Sequence, residues 1–130
     1  MCTPLDTKWR YLEGDRIMAR CLVTGHKGYI GSHLYQELQN QGHEVLGIDL
    51  KSAAGDNILF RSAGLRNVRN TTPRYVDFAP EYIFHMACVP RVAYSVEYPV
   101  ETMENNVLAG SIVLDFARRV GANRVIYSSS

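Results

Sequence analysis

The sequence predicts a single α/β domain built on a parallel, doubly wound sheet. Strand and helix patterns alternate along the chain, the crossovers between strands are long enough to hold helices, and a glycine-punctuated turn joins the first strand to the first helix. With 130 residues, of which 46% are hydrophobic, the chain can bury one core. In such sheets ligands bind beyond the carboxyl ends of the strands.

The first unit of this fold is a strand, a turn and a helix. Arg20–Val23 is short and mostly apolar, which favours a strand. A helix is predicted over 29–40, because Ile30, Leu34 and Leu38 recur every four residues and would share one face. The turn between them contains three glycines, Gly25, Gly28 and Gly31.

These glycines indicate a dinucleotide pyrophosphate site. Gly25 can adopt backbone angles that side chains forbid, Gly28 lets phosphates approach the main chain, and Gly31 lets the helix pack closely on the sheet. Free N–H groups at the helix start would face the anion. The spacing, Gly-x-x-Gly-x-x-Gly, differs from the better-known Gly-x-Gly-x-x-Gly, and the glycines alone also fit an ordinary turn. His26 and Lys27 could face either phosphates or solvent.

The second predicted strand ends in an acidic residue, which indicates the type of cofactor. After a turn at 41–43, Glu44–Ile48 is apolar and ends in Asp49, roughly twenty residues past the glycines. A carboxylate at this position accepts hydrogen bonds from both adenosine ribose hydroxyls and repels an additional phosphate. The sequence therefore predicts NAD as cofactor, rather than NADP.

The rest of the chain continues the alternation. Residues 51–72 are predicted as a loop with at most one short strand, near Leu65–Val68, and a brief helix is predicted across Arg74–Phe78. The later elements are a buried strand Glu81–Ala87, an amphipathic helix over 100–120 that Gly121 closes, and a strand Arg124–Tyr127.

Polar residues follow the carboxyl end of each predicted strand. They are the glycine turn, Asp49, His85–Pro90 and Ser128–Ser130. Because the carboxyl ends of parallel strands meet at one edge, these groups should converge on one crevice. No second histidine or carboxylate stands at metal-ligand spacing from His85, so we expect no metal site.

Composition excludes several classes of function. The net charge is +1 without a basic run, so we expect no nucleic-acid or membrane partner. Cys2, Cys21 and Cys88 follow no disulfide or metal spacing, which favours a reducing compartment such as the cytoplasm, and Cys21 is interpreted as a core residue. Residues 1–19 are charged, contain no apolar run for a signal peptide or membrane span, and are interpreted as an extension before the domain.

Residues 20–130 resemble the extended short-chain dehydrogenases, in particular the nucleotide-sugar epimerases and dehydratases typified by UDP-galactose 4-epimerase. The resemblance is carried by a phosphate loop at 23–33, a His-x-Ala strand end at His85-Met86-Ala87, a Ser-x-x-x-Pro stretch at 94–99 followed by Asn105-Asn106-Val107, and a strand with serines at 124–130. It implies a Rossmann fold that stops after the fifth strand, with no substrate domain.

The resemblance also implies roles for individual residues. The backbone of Tyr29 and Ile30 would contact the pyrophosphate, and Asp49, with Lys51 and Ser52, would hold the adenosine ribose. Asn67 and Val68 would contact adenine, and Ser130 would be the catalytic serine at the sugar hydroxyl. The remaining cofactor residues would be Met86, Ala87, Cys88, Val89, Pro90 and Asn105.

In this family NAD oxidises a sugar hydroxyl transiently, and a tyrosine activated by a lysine four positions later is the base. These 130 residues contain no Tyr-x-x-x-Lys. We therefore expect the NAD-binding part of a nucleotide-sugar epimerase or dehydratase that is inactive alone and acts on a nucleotide sugar when completed by a carboxy-terminal half. A non-catalytic NAD-sensing module, a subunit of a split enzyme and a dehydrogenase that releases NADH stay open. The 124–127 strand should be a sheet edge that self-associates or binds a partner.

Several positions have a second interpretation. His85 can be a strand-end histidine satisfied by backbone instead of a catalytic base, Asn105 can brace a helix, and Ser128–Ser130 can be a frayed terminus. The family often has Gly-Thr where this chain has Ala109-Gly110, and the link from Asp49 to Asn67 is short.

Overall fold

The computed structural model describes residues 18–49 and 73–129. Within them, four parallel strands form one sheet in the order β2-β1-β3-β4. The strands are β1 (Arg20–Thr24), β2 (Glu44–Ile48), β3 (Tyr82–His85) and β4 (Arg124–Tyr127). The helices are α1 (Tyr29–Asn40), α2 (Pro73–Phe78), α3 (Val92–Glu97), α4 (Pro99–Met103) and α5 (Ala109–Val120), with a π-helical turn, Glu104–Leu108, between α4 and α5. The predicted parallel α/β sheet is confirmed, whereas the strand expected near Leu65–Val68 falls outside the described residues.

Both faces of the sheet are covered, as a doubly wound fold requires. Successive residues of a strand point to opposite faces. Leu22 of β1 packs with Ile83 and Phe116 in one buried cluster, which holds the inner face of α5. Cys21, its neighbour, packs with Leu38 of α1 in a second cluster. Cys21 is thus a core residue, as predicted.

The strands are in register, so their carboxyl ends lie at one edge of the sheet. Thr24, the last residue of β1, is opposite Ile48 on one side and His85 on the other. His85 is in turn opposite Tyr127 at the end of β4. The segments that leave the strands therefore start side by side.

The first helix buries a narrower stripe than its sequence predicts. Leu38 is buried and Leu34 is half-buried, but Ile30 is 67% exposed. Gly31 is the buried residue of the first turn. Gly31 makes the close approach to the glycine turn, so the apolar spacing predicted the helix correctly but its first apolar residue, Ile30, stays exposed.

The third strand and the helix after it also differ from the prediction. β3 spans 82–85, not 81–87, because its partner β1 ends at Thr24. The long helix begins at Pro99, where a missing N–H is tolerated at the first helical position, and contains the π-helical turn. Gly121 closes it in the left-handed conformation, as predicted.

The helix α3 was not predicted from the sequence. None of its residues is buried. Its six residues make fewer than two helical turns, too short for an apolar pattern to recur, and such recurrence is the main signal for a helix.

Candidate functional site

A cavity of about 300 Å³ lies beyond the carboxyl ends of β1, β2 and β3. It takes residues from the glycine turn after β1, from the end of β2, from the segment after β3 and from the π-helical turn. Its lining consists of Gly25, Lys27, Gly28, Asp49, Met86, Ala87, Cys88, Val89, Pro90 and Asn105. The crevice predicted from the positions of the polar residues is therefore present at this edge of the sheet.

Gly25 lets the turn leave β1 directly against the segment after β3. Its φ is +73°, in the left-handed region, and its N–H donates to the Ile48 carbonyl at 2.7 Å. A Cβ at this position would lie only 2.8 Å from the Ala87 nitrogen. Both the backbone angle and the space thus require glycine.

The other two glycines shape the start of α1. Gly28 precedes the helix as its N-cap without any side-chain cap, and the Ser32 N–H donates to its carbonyl at 2.9 Å. A Cβ on Gly31 would overlap the Gly25 carbonyl oxygen. The first N–H groups of a helix have no acceptor within it, so those of Tyr29 and Ile30 stand next to the cavity-lining Gly28 as potential anion donors.

Asp49 joins the glycine turn to the end of β2. It is half-buried, lines the cavity, and its Oδ2 accepts the Lys27 N–H at 2.9 Å. The carboxylate is held in place by a backbone donor and presents a negative charge to the cavity. Such a group can accept hydrogen bonds from sugar hydroxyls.

The segment after β3 forms one wall of the cavity. The Met86 N–H donates to the Thr24 carbonyl at 3.1 Å, and the Ala87 N–H donates to Thr24 Oγ1 at 3.2 Å. Residues 86–90 all line the cavity. Asn105 also lines the cavity, while its Nδ2 donates to the Glu101 carbonyl at 2.9 Å. Asn105 thus braces its helix and also faces the cavity.

His85 lies behind this wall. It is 2% exposed, does not line the cavity, and its Nδ1 is 2.7 Å from Thr24 Oγ1. Burial lowers the pKa of His85, so the ring is neutral at pH 7. The structure thus favours the strand-end interpretation over a catalytic base, although the ring's partner is a side chain, not the backbone.

The serines after β4 begin beside the same strand end. The N–H and Oγ of Ser128 lie 3.4 and 3.3 Å from the His85 carbonyl, which accepts from both. This places the chain after β4 next to the cavity wall. Of the predicted site residues, Lys51, Ser52, Asn67, Val68 and Ser130 lie outside the described residues.

Two residues of the site were missed in the sequence. Thr24 is fully buried and links β1 to the segment after β3 through its hydroxyl. A polar residue at the end of an otherwise apolar strand was the available signal. Asn106 bonds to both backbone groups of Val89; it stands in the Asn105-Asn106-Val107 stretch that carries the resemblance, but no role was assigned to it.

No helix in the described part of the chain is long and apolar enough to cross a membrane. Over residues 18–49 and 73–129, no group of three or more histidine, cysteine or acidic side chains is arranged to hold a metal ion.

The arrangement fits a dinucleotide. Gly25 and Gly31 let the turn pack tightly against Ala87 and against the start of α1, and Gly28 presents backbone without a side chain to the cavity, so a diphosphate can approach the main chain there. Asp49 supplies the acceptor for ribose hydroxyls, and the mostly apolar residues 86–90 supply a surface for rings and carbon chain. The donors, the acceptor and the apolar wall thus match the three chemical parts of such a cofactor.

The sequence is similar to those of several known proteins. The chain is 32% identical over 125 residues to Protein CapI of Staphylococcus aureus, covering 85% of this chain and 37% of that protein. It is 32% identical over 123 residues to a UDP-glucose 4-epimerase of Klebsiella pneumoniae, covering 85% of this chain and 88% of that protein.

Among solved structures, the Thermus thermophilus UDP-glucose 4-epimerase in complex with NAD superposes with a TM-score of 0.69 at 32% identity, covering 85% of this chain and 37% of that one. The chain thus spans little more than a third of CapI and of the Thermus enzyme. The sequence profile of the NAD dependent epimerase/dehydratase family matches residues 21–130. The predicted cofactor, NAD, is the one in this description, and the chain belongs to the NAD dependent epimerase/dehydratase family.

Proposed function

We propose that this chain is the NAD-binding part of a nucleotide-sugar epimerase or dehydratase. The observation that carries the proposal is the cavity at the carboxyl ends of β1, β2 and β3, in which the glycine turn, Asp49 and residues 86–90 meet. We assign residues 20–130 to the NAD-binding domain and residues 1–19 to an extension outside it.

Different residues of the chain bind different parts of the cofactor. The backbone around Gly28, with the N–H groups of Tyr29 and Ile30, neutralises the pyrophosphate without a side chain. Asp49, held by the Lys27 N–H, accepts from the adenosine ribose and disfavours a phosphate on it. Residues 86–90 and Asn105 exclude water from the other side of the cofactor. Bound NAD would supply a hydride acceptor and donor for a sugar hydroxyl.

The remaining cofactor contacts and the catalytic step are assigned by resemblance. Lys51 and Ser52 complete the ribose site, Asn67 and Val68 form the adenine site, and Ser130 positions the sugar hydroxyl. We propose that the 130 residues do not turn over a nucleotide sugar alone, since they contain no Tyr-x-x-x-Lys to supply the base. The second candidate is a non-catalytic NAD-binding module or a subunit of a split enzyme, which would use the same NAD site.

Isothermal titration of the chain with NAD and, separately, with NADP tests the cofactor site. We expect one NAD per chain and weaker NADP binding, because the Asp49 carboxylate repels the additional phosphate. Asp49→Ala should weaken NAD binding and narrow the difference between the two nucleotides. Lack of any NAD binding by the unmodified chain would contradict the proposal.

Turnover separates the enzyme from the binding module. The purified chain is incubated with NAD and UDP-glucose, and the nucleotide sugars are separated by chromatography. We expect no product. Addition of a carboxy-terminal segment from a longer relative should restore product formation if the chain belongs to an enzyme. Continued inactivity with a segment that binds the chain would favour the sensing module, and net NADH accumulation would indicate a simple dehydrogenase.

Two further parts of the proposal concern partners and location. Within the described sheet β4 pairs only with β3, so its other edge offers backbone groups to a second copy or a partner. A chain that stays monomeric in light scattering at high concentration would contradict this.

The free thiols of Cys21 and Cys88 support a reducing compartment such as the cytoplasm.

A further inference from the structure

Asn106 makes a paired contact with the backbone of the cavity wall. Its Oδ1 accepts the Val89 N–H at 2.7 Å, and its Nδ2 donates to the Val89 carbonyl at 3.1 Å. One amide side chain thus satisfies both backbone groups of one residue, as a neighbouring strand would. Val89 is half-buried and lines the cavity, whereas Asn106 is not among the lining residues.

The wall is therefore fixed at two points. At its start, Met86 and Ala87 are bonded to Thr24, and the Ala87 backbone presses against Gly25. Beyond Ala87 the segment belongs to no helix or strand until α3 begins at Val92. The Asn106 amide supplies a second attachment in this irregular stretch and limits how far the wall can move from the glycine turn.

The π-helical turn explains how two consecutive asparagines serve the same site. The Ala109 N–H donates to the Glu104 carbonyl, five residues earlier, so this turn contains one residue more than an α-helical turn. In an α-helix, successive side chains diverge by about 100°. The wider turn reduces that divergence, so Asn105 can face the cavity while Asn106 reaches Val89. Such turns are frequent at functional sites.

We infer that Asn106 is a positioning residue for the cofactor, which holds residues 86–90 at the separation from the glycine turn that NAD requires. This inference rests on the proposed NAD binding. Asn106 acts through Val89 and does not itself touch the cofactor. Loss of the tether leaves the sheet intact but widens the distribution of wall positions, and NAD must then order the wall when it binds.

The test compares Asn106→Asp and Asn106→Ala with the unmodified chain. Asn106→Asp keeps size and one acceptor but places a carboxylate oxygen against the Val89 carbonyl, and Asn106→Ala removes both contacts. Asn40→Asp is the matched control, because Asn40 is exposed on α1 and bonds only to the nearby Gln36 among the contacts described. The measurements are NAD affinity by calorimetry, amide hydrogen exchange by NMR, and the melting temperature.

For both Asn106 variants we expect NAD affinity to fall about tenfold, as for the loss of one or two hydrogen bonds. The Val89 amide should exchange faster, while the Leu22 and Ile83 amides and the melting temperature stay near those of the unmodified chain. A merely structural role would instead reduce core protection and the melting temperature. Where Asn106→Ala fails to fold, the isosteric Asn106→Asp decides.

Two outcomes overturn the inference, and they are distinguishable. If the unmodified chain does not bind NAD, the proposed function fails and this inference fails with it. If the unmodified chain binds NAD and both Asn106 variants bind it within twofold, the proposed function stands and the inference alone is wrong.

Discussion

The imidazole ring of His26 lies against Gly47, at the point where a Cβ on Gly47 would be placed. The ring of Tyr35 packs on His26 with a centroid separation of 5.3 Å. The glycine turn, β2 and α1 are thus joined through one ring. A side chain at position 47 and a ring at position 26 compete for the same space.

Gly47→Ala should therefore destabilise the chain, although alanine normally suits a strand better than glycine. We expect a loss of about 1–3 kcal/mol in the free energy of unfolding, the usual cost of overpacking. In a His26→Ala background the same substitution should be neutral or stabilising by up to about 1 kcal/mol. Urea unfolding of the unmodified chain, the two single variants and the double variant measures both effects, and an equal loss in the two backgrounds would show that the ring is not responsible.

Comparing Gly25→Ala with Gly121→Ala separates two costs of replacing a glycine, the strain of a positive φ and the lack of space for a Cβ. The two glycines have nearly the same φ, +73° and +72°, but a Cβ at Gly121 meets nothing within 4 Å, whereas one at Gly25 meets the Ala87 backbone. Gly121→Ala should cost about 1–2 kcal/mol, the penalty of the left-handed conformation. Gly25→Ala should cost more, because backbone atoms must also shift.

The two variants should also differ in NAD binding. Gly25→Ala displaces the cavity wall and should abolish binding, whereas Gly121→Ala, far along the chain at the end of α5, should leave it unchanged. Denaturant unfolding and calorimetry measure the two effects. Equal losses of stability, or unchanged NAD affinity in Gly25→Ala, would count against the close approach of Gly25 and Ala87.

The local parts of this fold could be predicted from sequence, because their causes are local. The unit from β1 to Asp49 depends on apolar spacing, glycines in a turn and an acid at a strand end, all visible within thirty residues. The contacts that assemble the cavity were not predicted. Thr24 with His85 and Asn106 with Val89 join residues that are 61 and 17 positions apart, through polar side chains that follow no periodicity.

The spacing of apolar residues also does not show which of them are buried. Ile30 has the right spacing for a buried face but stands at the helix start, where the buried position belongs to Gly31. In the same way, Val107 and Leu114 are apolar residues of the long helix but are each 54% exposed, whereas its Ile112 and Phe116 are buried. Spacing predicts that a helix forms, whereas its burial depends on which neighbours reach it.

His85 should make the stability of the chain sensitive to acid. Its pKa is lowered by burial in the folded state, below the ordinary 6.5, so between these two values the unfolded chain binds more protons. The stability contributed by neutral His85 is fully present above pH 6.5 and is lost as pH falls toward the folded-state pKa.

His85→Gln should therefore flatten the decline in unfolding free energy between pH 7 and about pH 5. His33→Gln is the control, because it makes the same substitution at an exposed position on α1. Urea unfolding at several pH values gives the slopes. A decline in His85→Gln as steep as in the unmodified chain would assign the acid sensitivity to another group.

Cys88 and Cys21 should differ sharply in thiol reactivity, and the difference reports on the cofactor site. Cys88 is exposed and lines the cavity, whereas Cys21 is buried, and burial, together with the nearby Glu81 charge, raises its pKa to about 11. In a Cys2→Ser background, a maleimide at pH 7.5 should modify one thiol rapidly, and Cys88→Ser should remove that reaction.

NAD at ten times its dissociation constant should slow the modification of Cys88 about tenfold by occupying the cavity, with no such protection in Gly25→Ala. Modification of Cys88 at the same rate with and without saturating NAD would place the cofactor away from residues 86–90.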